Sequence, residues 1–337
     1  MCSLACCLVF VQSPNAVSAE DTWTELGTHP QAAKQPTDWG KAIHTLCPWN
    51  GKLYMGYGDY DKNTGPISIT SFDPATRTFS SEWTSMTESI DIFRPLGGRL
   101  YAPAIDPRGS PPKAAGFAVC EPAGQWRDNP VFMEHAFDMA SLTETDLWLV
   151  GSYGDEHSMA LRSLDGGVTW QKALDLFRKG DNFSRFYYVG VLNKKLYLQS
   201  SSDTNSMVFD GVEWTNGPPI ARFAHHPVVF AGKMVLQSKK DLLAFDGEKP
   251  AASILPENPV QAFYASSRAL YVLSARDGGI QQTTDLSTWS LVATAPSNAC
   301  SLAVLHGRLY AGTRDSKLYE YSRAIPGEIP DHSNEKR

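Results

Sequence analysis

The stretch HGRLYAGTR, residues 306–314, decides the fold, because six relatives of it recur along the chain. They are NGKLYMGYG (50–58), GGRLYAPAI (97–105), ETDLWLVGS (144–152), NKKLYLQSS (193–201), AGKMVLQSK (231–239) and SRALYVLSA (267–275). Each begins with a small or polar turn, continues through an aliphatic–aromatic pair, and ends in a β-rich run. The second member of the pair falls at Tyr54, Tyr101, Trp148, Tyr197, Val235, Tyr271 and Tyr310, at intervals of 47, 47, 49, 38, 36 and 39 residues. Such intervals hold four short strands with Gly, Asp or Asn turns between them, the period of a β-propeller blade. The reading is all-β: seven blades of four-stranded antiparallel sheet.

Between the anchors a second element recurs, a tryptophan that reads as lying on a blade's outer strand and packing between neighbouring sheets: Trp83, Trp126, Trp170, Trp214 and Trp289, with none in the fifth repeat. The last repeat has no such residue after it. DTWTEL around Trp23 supplies one, so the N-terminal strand is expected to complete the seventh blade and to cover an otherwise open sheet edge. The propeller then spans residues 20–325.

The 337 residues carry 30 Lys and Arg against 36 Asp and Glu, a net charge of −6. With no basic run, a nucleic-acid partner is not expected. No apolar stretch reaches the ~18 residues of a spanning helix. Residues 1–19 carry no charge and run from an apolar stretch to Val17-Ser18-Ala19, the outline of a secretory signal; export, to the periplasm or outside the cell, is the expectation. Residues 326–337 read as a disordered tail. Cys47, Cys120 and Cys300, an odd set without CxxC spacing, read as buried free thiols. No short motif calls for a cofactor, and Asp59, Asp61 and Asn63 lack the later Glu that would complete a calcium loop. A monomer is expected, and no metal.

SLDGGVTW, Ser163 to Trp170, resembles the Asp-box of BNR or sialidase-type repeat proteins, with a weaker copy in TTDLSTW, Thr283 to Trp289. The resemblance implies a propeller in which the box is a structural turn between the third and fourth strands of a blade. Phe93-Arg94-Pro95 is similar to part of the sialidase F/Y-R-I-P stretch, without its Ile.

Aligning the repeats on their anchors exposes a column early in each innermost strand: His44, Asp91, Asp138, Tyr187, His225, Gln261 and Cys300. The preceding column, Ile43, Ile90, Phe137, Phe186, Ala224, Val260 and Ala299, is apolar. Alternation therefore places a polar ring around one mouth of the central channel and packs the apolar column between blades. Arg94, His135, Arg185, Tyr188, Arg222, His226 and Tyr264 are its expected neighbours, Arg185 and Arg222 on inner strands. Loops between second and third strands read as long in the first three repeats only, converging on the same mouth.

Three chemistries fit this ring. Asp91 and Asp138 could act as acid and base in glycoside hydrolysis. His44 or His225, with Tyr187 or Tyr188, could remove a proton beside a uronate carboxylate held by Arg185 or Arg222, as in a polysaccharide lyase. His44, Asp91, Asp138 and His225 could hold a divalent metal, awkwardly, across several blades. The expected function is thus a propeller that binds, and can process, a carbohydrate or other small polar ligand; the alternative is a non-catalytic scaffold for a protein partner.

Overall fold

The computed structural model describes residues 22–106, 115–181, 183–255, 258–325 and 327–328. Seven four-stranded antiparallel sheets stand in a ring. Blades 1 to 6 occupy residues 45–85, 94–129, 135–177, 190–217, 224–253 and 260–294, and each runs from its innermost to its outermost strand in chain order. Blade 7 takes three strands from residues 299–324 and its outermost from Trp23–Thr28, which pairs antiparallel with Lys317–Ala324. The expected closure is observed. No helix among the described residues is long and apolar enough to cross a membrane.

The seven anchors lie on the second strands and are all buried, so six blades hide a large aromatic side chain against their neighbours and blade 5 hides Val235. A side chain of this size contributes roughly 2 kcal/mol on burial. The outer tryptophans join blades in the expected way. Trp23 Nε1 donates to the Thr294 carbonyl of blade 6 at 2.8 Å, Trp83 Nε1 donates to Asp128 of blade 2 at 3.1 Å, and Trp214 meets Trp148 of blade 3 edge-on at 5.6 Å.

The turn between third and fourth strands repeats more widely than the two boxes suggested. Asp165 accepts from the Val168 and Thr169 N–H groups, and Asp285 from those of Ser287 and Thr288. Asp73, Asp210 and Asp246 do the same in blades 1, 4 and 5. Five blades thus share an aspartate-capped turn, and these hydrogen bonds hold all five carboxyls below their usual range, Asp165 at about 2.

Between the outermost strand of blade 7 and the innermost of blade 1, residues 29–44 cross the blade edge as a strap, a feature the repeat alignment did not anticipate. It holds a 3-10 turn, Ala32–Lys34, and a helical turn, Asp38–Lys41, capped by Thr37 Oγ1 accepting from the Gly40 N–H. Its anchor is His29, fully buried against Tyr57, with Nδ1 accepting from the N–H groups of Gln31 and Ala32. Burial holds His29 neutral, its pKa pulled down to about 4. Of the expected tail, Gly327 and Glu328 are packed on blade 6, where the Gly327 carbonyl accepts from Arg268 and the Glu328 carboxylate from the Tyr271 hydroxyl. The signal segment and the remaining tail positions lie outside the described residues.

Candidate functional site

Innermost strands all begin at the same end of the ring, and the polar column lies at or just before those beginnings, except Asp138, which is the middle residue of its strand, His135–Ser141. All seven column positions line the lumen. His44, Gln261 and Cys300 line a cavity of about 290 Å³ enclosed by blades 1, 2, 5, 6 and 7. Asp91, Asp138, Tyr187 and His225 line a recess of about 20 Å³ beside it, with Tyr60, Phe137 and His226. The apolar column is buried apart from Ala299, which is half-buried, and Phe137 departs from it by turning its ring into the recess.

Bulges seat several of these residues. The pairing of innermost with second strands skips a residue at Phe137, Gln261 and Cys300, and two residues, His226 and Pro227, in blade 5. His226 takes a left-handed backbone (φ 56°) in that bulge, which turns the Pro227 carbonyl toward the lumen. Arg94 of blade 2 meets it there. Its Nη1 donates to Pro227 O at 3.1 Å, while Nε and Nη2 grip the two Asp138 oxygens at 2.7 and 2.9 Å. The guanidinium is a bar joining blades 2, 3 and 5. The cavity noted above lies on one side of it; on the other is an apolar space of about 140 Å³ lined by blades 2 to 5, including Met139, Val191 and Met234.

This bar changes the role open to Asp138. Besides Arg94, its carboxylate accepts from the Val189 and Met139 N–H groups, and the residue is 1% exposed. Of the two ring carboxylates, only Asp91 has oxygens to offer: it accepts from the Ser89 hydroxyl and makes no ion pair among the described residues. Two imidazoles lie near Asp91: His44, half-buried, and His225, exposed at the mouth. Desolvation by the surrounding lumen lowers the pKa of both against the pull of that carboxylate. His44 Nε2 donates to the Gly58 carbonyl at 3.0 Å. His226 is neutral, its pKa driven down to about 3 by burial and by His225 and Arg94 alongside.

The other expected neighbours divide. His135 lies at the mouth with Nδ1 2.8 Å from the Asp106 carboxylate, and Arg185 is 3.4 Å from its Nε2 and 3.5 Å from Asp155. Arg185 and Arg222 sit in the loops that lead into the innermost strands, rather than on the strands; Arg222 is exposed on the rim. Tyr188 does not reach the mouth. Alternation past Tyr187 turns it into the packing between blades 4 and 5, where it is fully buried. Tyr264 lines the large cavity, its hydroxyl donating to the Val304 carbonyl, and Gln261 accepts from Arg314 at 2.8 Å. Of the loops expected to be long, that of blade 3 is a tight hairpin of residues 154–156, because its strands extend through Tyr153 and from His157. Part of the blade 2 loop, residues 107–114, lies outside the described residues. Cys47, Cys120 and Cys300 are free and buried, as expected. Among the described residues no three His, Cys, Asp or Glu side chains come together as metal ligands.

Sequence reading missed the aromatic side chains of this face. Trp39, Phe132, Phe177, Phe183 and Phe223 are the exposed Trp and Phe side chains among the described residues, and every one lies in the strap, at the end of an outermost strand or in a segment leading into an innermost one, at the mouth end. Three back onto the lumen residues: Trp39 on His44 at 4.4 Å, Phe223 on Tyr187 at 5.8 Å, and Phe183 beneath the Arg185 guanidinium at 5.1 Å. The turns at the opposite end expose only aliphatic side chains of comparable size, Leu164, Val168 and Val212. The signal was present in QPTDWGK and in Phe132, Phe183 and Phe223, just before the inner strands of blades 3, 4 and 5, but lay outside the repeat.

No protein-family model matches the sequence, and no curated protein sequence does. Solved structures do match in fold. A streptogramin B lyase superposes with a TM-score of 0.61 at 13% identity, over 89% of this chain and 96% of that one. Virginiamycin B lyase from Staphylococcus aureus gives 0.61 at 9% identity, over 89% and 99%. YCF48 bound to D1 peptide gives 0.54 at 10% identity, over 89% and 97%. At these identities the likeness is one of fold, a single seven-bladed ring.

Proposed function

We propose that the aromatic mouth is a ligand-binding site for a small polar, ring-shaped molecule of the carbohydrate type, and that the protein is exported to meet it. The observation that carries this reading is the co-location of all seven column residues in one lumen, with exposed aromatics of the strap and of the segments leading into blades 4 and 5 at its mouth. The large cavity, about 290 Å³, sits at the lower edge of the roughly 300–1,000 Å³ of ligand pockets. Trp39, Phe183 and Phe223 offer flat apolar faces, while Asp91, His225 and Gln261 offer hydrogen-bonding groups behind them.

If the bound ligand is processed, His225 or His44 is the group able to accept a proton, with Tyr187 across the recess 5.7 Å from His225. A two-carboxylate mechanism has less support, because Asp138 is held by Arg94. The second reading, docking of a protein or peptide, draws on Phe132 and Phe177, which carry the aromatic surface outward beyond the lumen; YCF48, of the same fold, is a protein bound to a peptide. Trp39 fluorescence separates the readings. Quenching or enhancement by soluble oligosaccharides, lost in Phe223→Ala, supports the carbohydrate site. A response to peptides alone overturns it.

A further inference from the structure

We infer that the recess at Asp91 is a subsite for a protonated amine, so that the ligand of the mouth carries an ammonium group. The inference rests on the reading of the mouth as a binding site. Asp91 is half-buried and makes no ion pair among the described residues: its hydroxyl partner Ser89 is uncharged, and the nearby imidazoles of His44 and His225 have pKa values shifted down by desolvation in the lumen. Arginines stand near but are otherwise engaged. Arg94 is matched to Asp138, and Arg185 is shared between His135 and Asp155, both at the longer limit of hydrogen bonding. The walls of the recess are aromatic, with Tyr60, Phe137 and Tyr187 around the carboxylate, and the Tyr187 and Phe137 rings meet at a tilt with centroids 4.8 Å apart. A carboxylate in an aromatic enclosure selects a cation, which gains both the charge pair and the negative ring faces.

Size narrows the class. The recess measures about 20 Å³, and a single water-sized group needs about 10–15 Å³. An ammonium group fits and a guanidinium or trimethylammonium does not. The adjoining cavity receives the rest of the molecule, because Ile92 and His226 line both spaces.

The test compares D-glucosamine with D-glucose, which differ by one amine, by titration calorimetry on the full chain. Wild-type protein is expected to favour glucosamine, and Asp91→Asn to weaken glucosamine about tenfold or more while leaving glucose unchanged. Equal binding of the two sugars by wild type, with Asp91→Asn silent, overturns the amine subsite but leaves the mouth intact. Binding of neither sugar at millimolar concentration overturns both. Tyr60→Phe, which keeps the ring face, is expected to bind glucosamine like wild type; a loss there equal to that of Asp91→Asn also refutes the enclosure, by tracing the affinity to the hydroxyl.

Discussion

Acid should loosen the ring at one identifiable point, the strap that leaves blade 7. His29 is fully buried, and both hydrogen bonds to its Nδ1 require that nitrogen to be an acceptor. Its ordinary pKa is 6.5 and its folded value about 4. Above pH 6.5 the ring is neutral in both folded and unfolded chains and its contribution is fully present. Below pH 6.5 the unfolded chain binds a proton that the folded one refuses, and stability falls by about 1.4 kcal/mol per pH unit until the folded value is reached. From pH 7.5 to 4.5 this amounts to about 3 kcal/mol. His29→Asn keeps a cap acceptor in place of Nδ1 but cannot titrate. The variant will be less stable at pH 7.5, having lost the ring packed on Tyr57. Its stability will fall less steeply with acid, so the gap to wild type narrows by about 3 kcal/mol at pH 4.5. Urea unfolding of both proteins at several pH values measures this directly. Other groups titrate in both chains alike and cancel in the difference. Parallel stability curves between pH 7.5 and 4.5 would refute the reasoning.

Two further outcomes follow from the lumen. Arg94→Met leaves Asp138 charged, buried and without its guanidinium, and should cost about 3–5 kcal/mol of stability by urea unfolding, most of it recovered in the Arg94→Met/Asp138→Leu double variant. Cys47 and Cys300 have thiols pushed up to about 12 by burial; in native protein neither should react with a coloured disulfide reagent at pH 8, and both should react promptly in denaturant.

What the sequence revealed about the fold came from residues that do one job in every blade. Tyr54, Tyr101 and Tyr310 repeat because six of the blades bury a large aromatic side chain at that place, and Trp23 betrayed the closing strand by matching the outer-strand tryptophans. The polar column was legible for the same reason, since alternation along equivalent strands is forced. What escaped was whatever breaks the equivalence. The bulge at His226 and Pro227, which lets Arg94 span blades 2, 3 and 5, leaves no mark in the repeat spacing. The pairing of Arg94 with Asp138, which leaves Asp91 as the ring's available carboxylate, depends on a reach across the lumen that no alignment of repeats contains. Trp39 and Tyr60 belong to the strap and to a loop, segments that occur once.

The pairing of Trp23–Thr28 with Lys317–Ala324 also sets an order of assembly. During synthesis the outermost strand of blade 7 emerges before the other strands of the ring, and its partner follows all six earlier blades. Until then the first strand has no sheet to join, and the earlier blades stand as an open arc with unpaired edges. Ring closure is therefore a late, long-range event, and the interval before it is when the chain is most open to wrong pairing or to association with another copy.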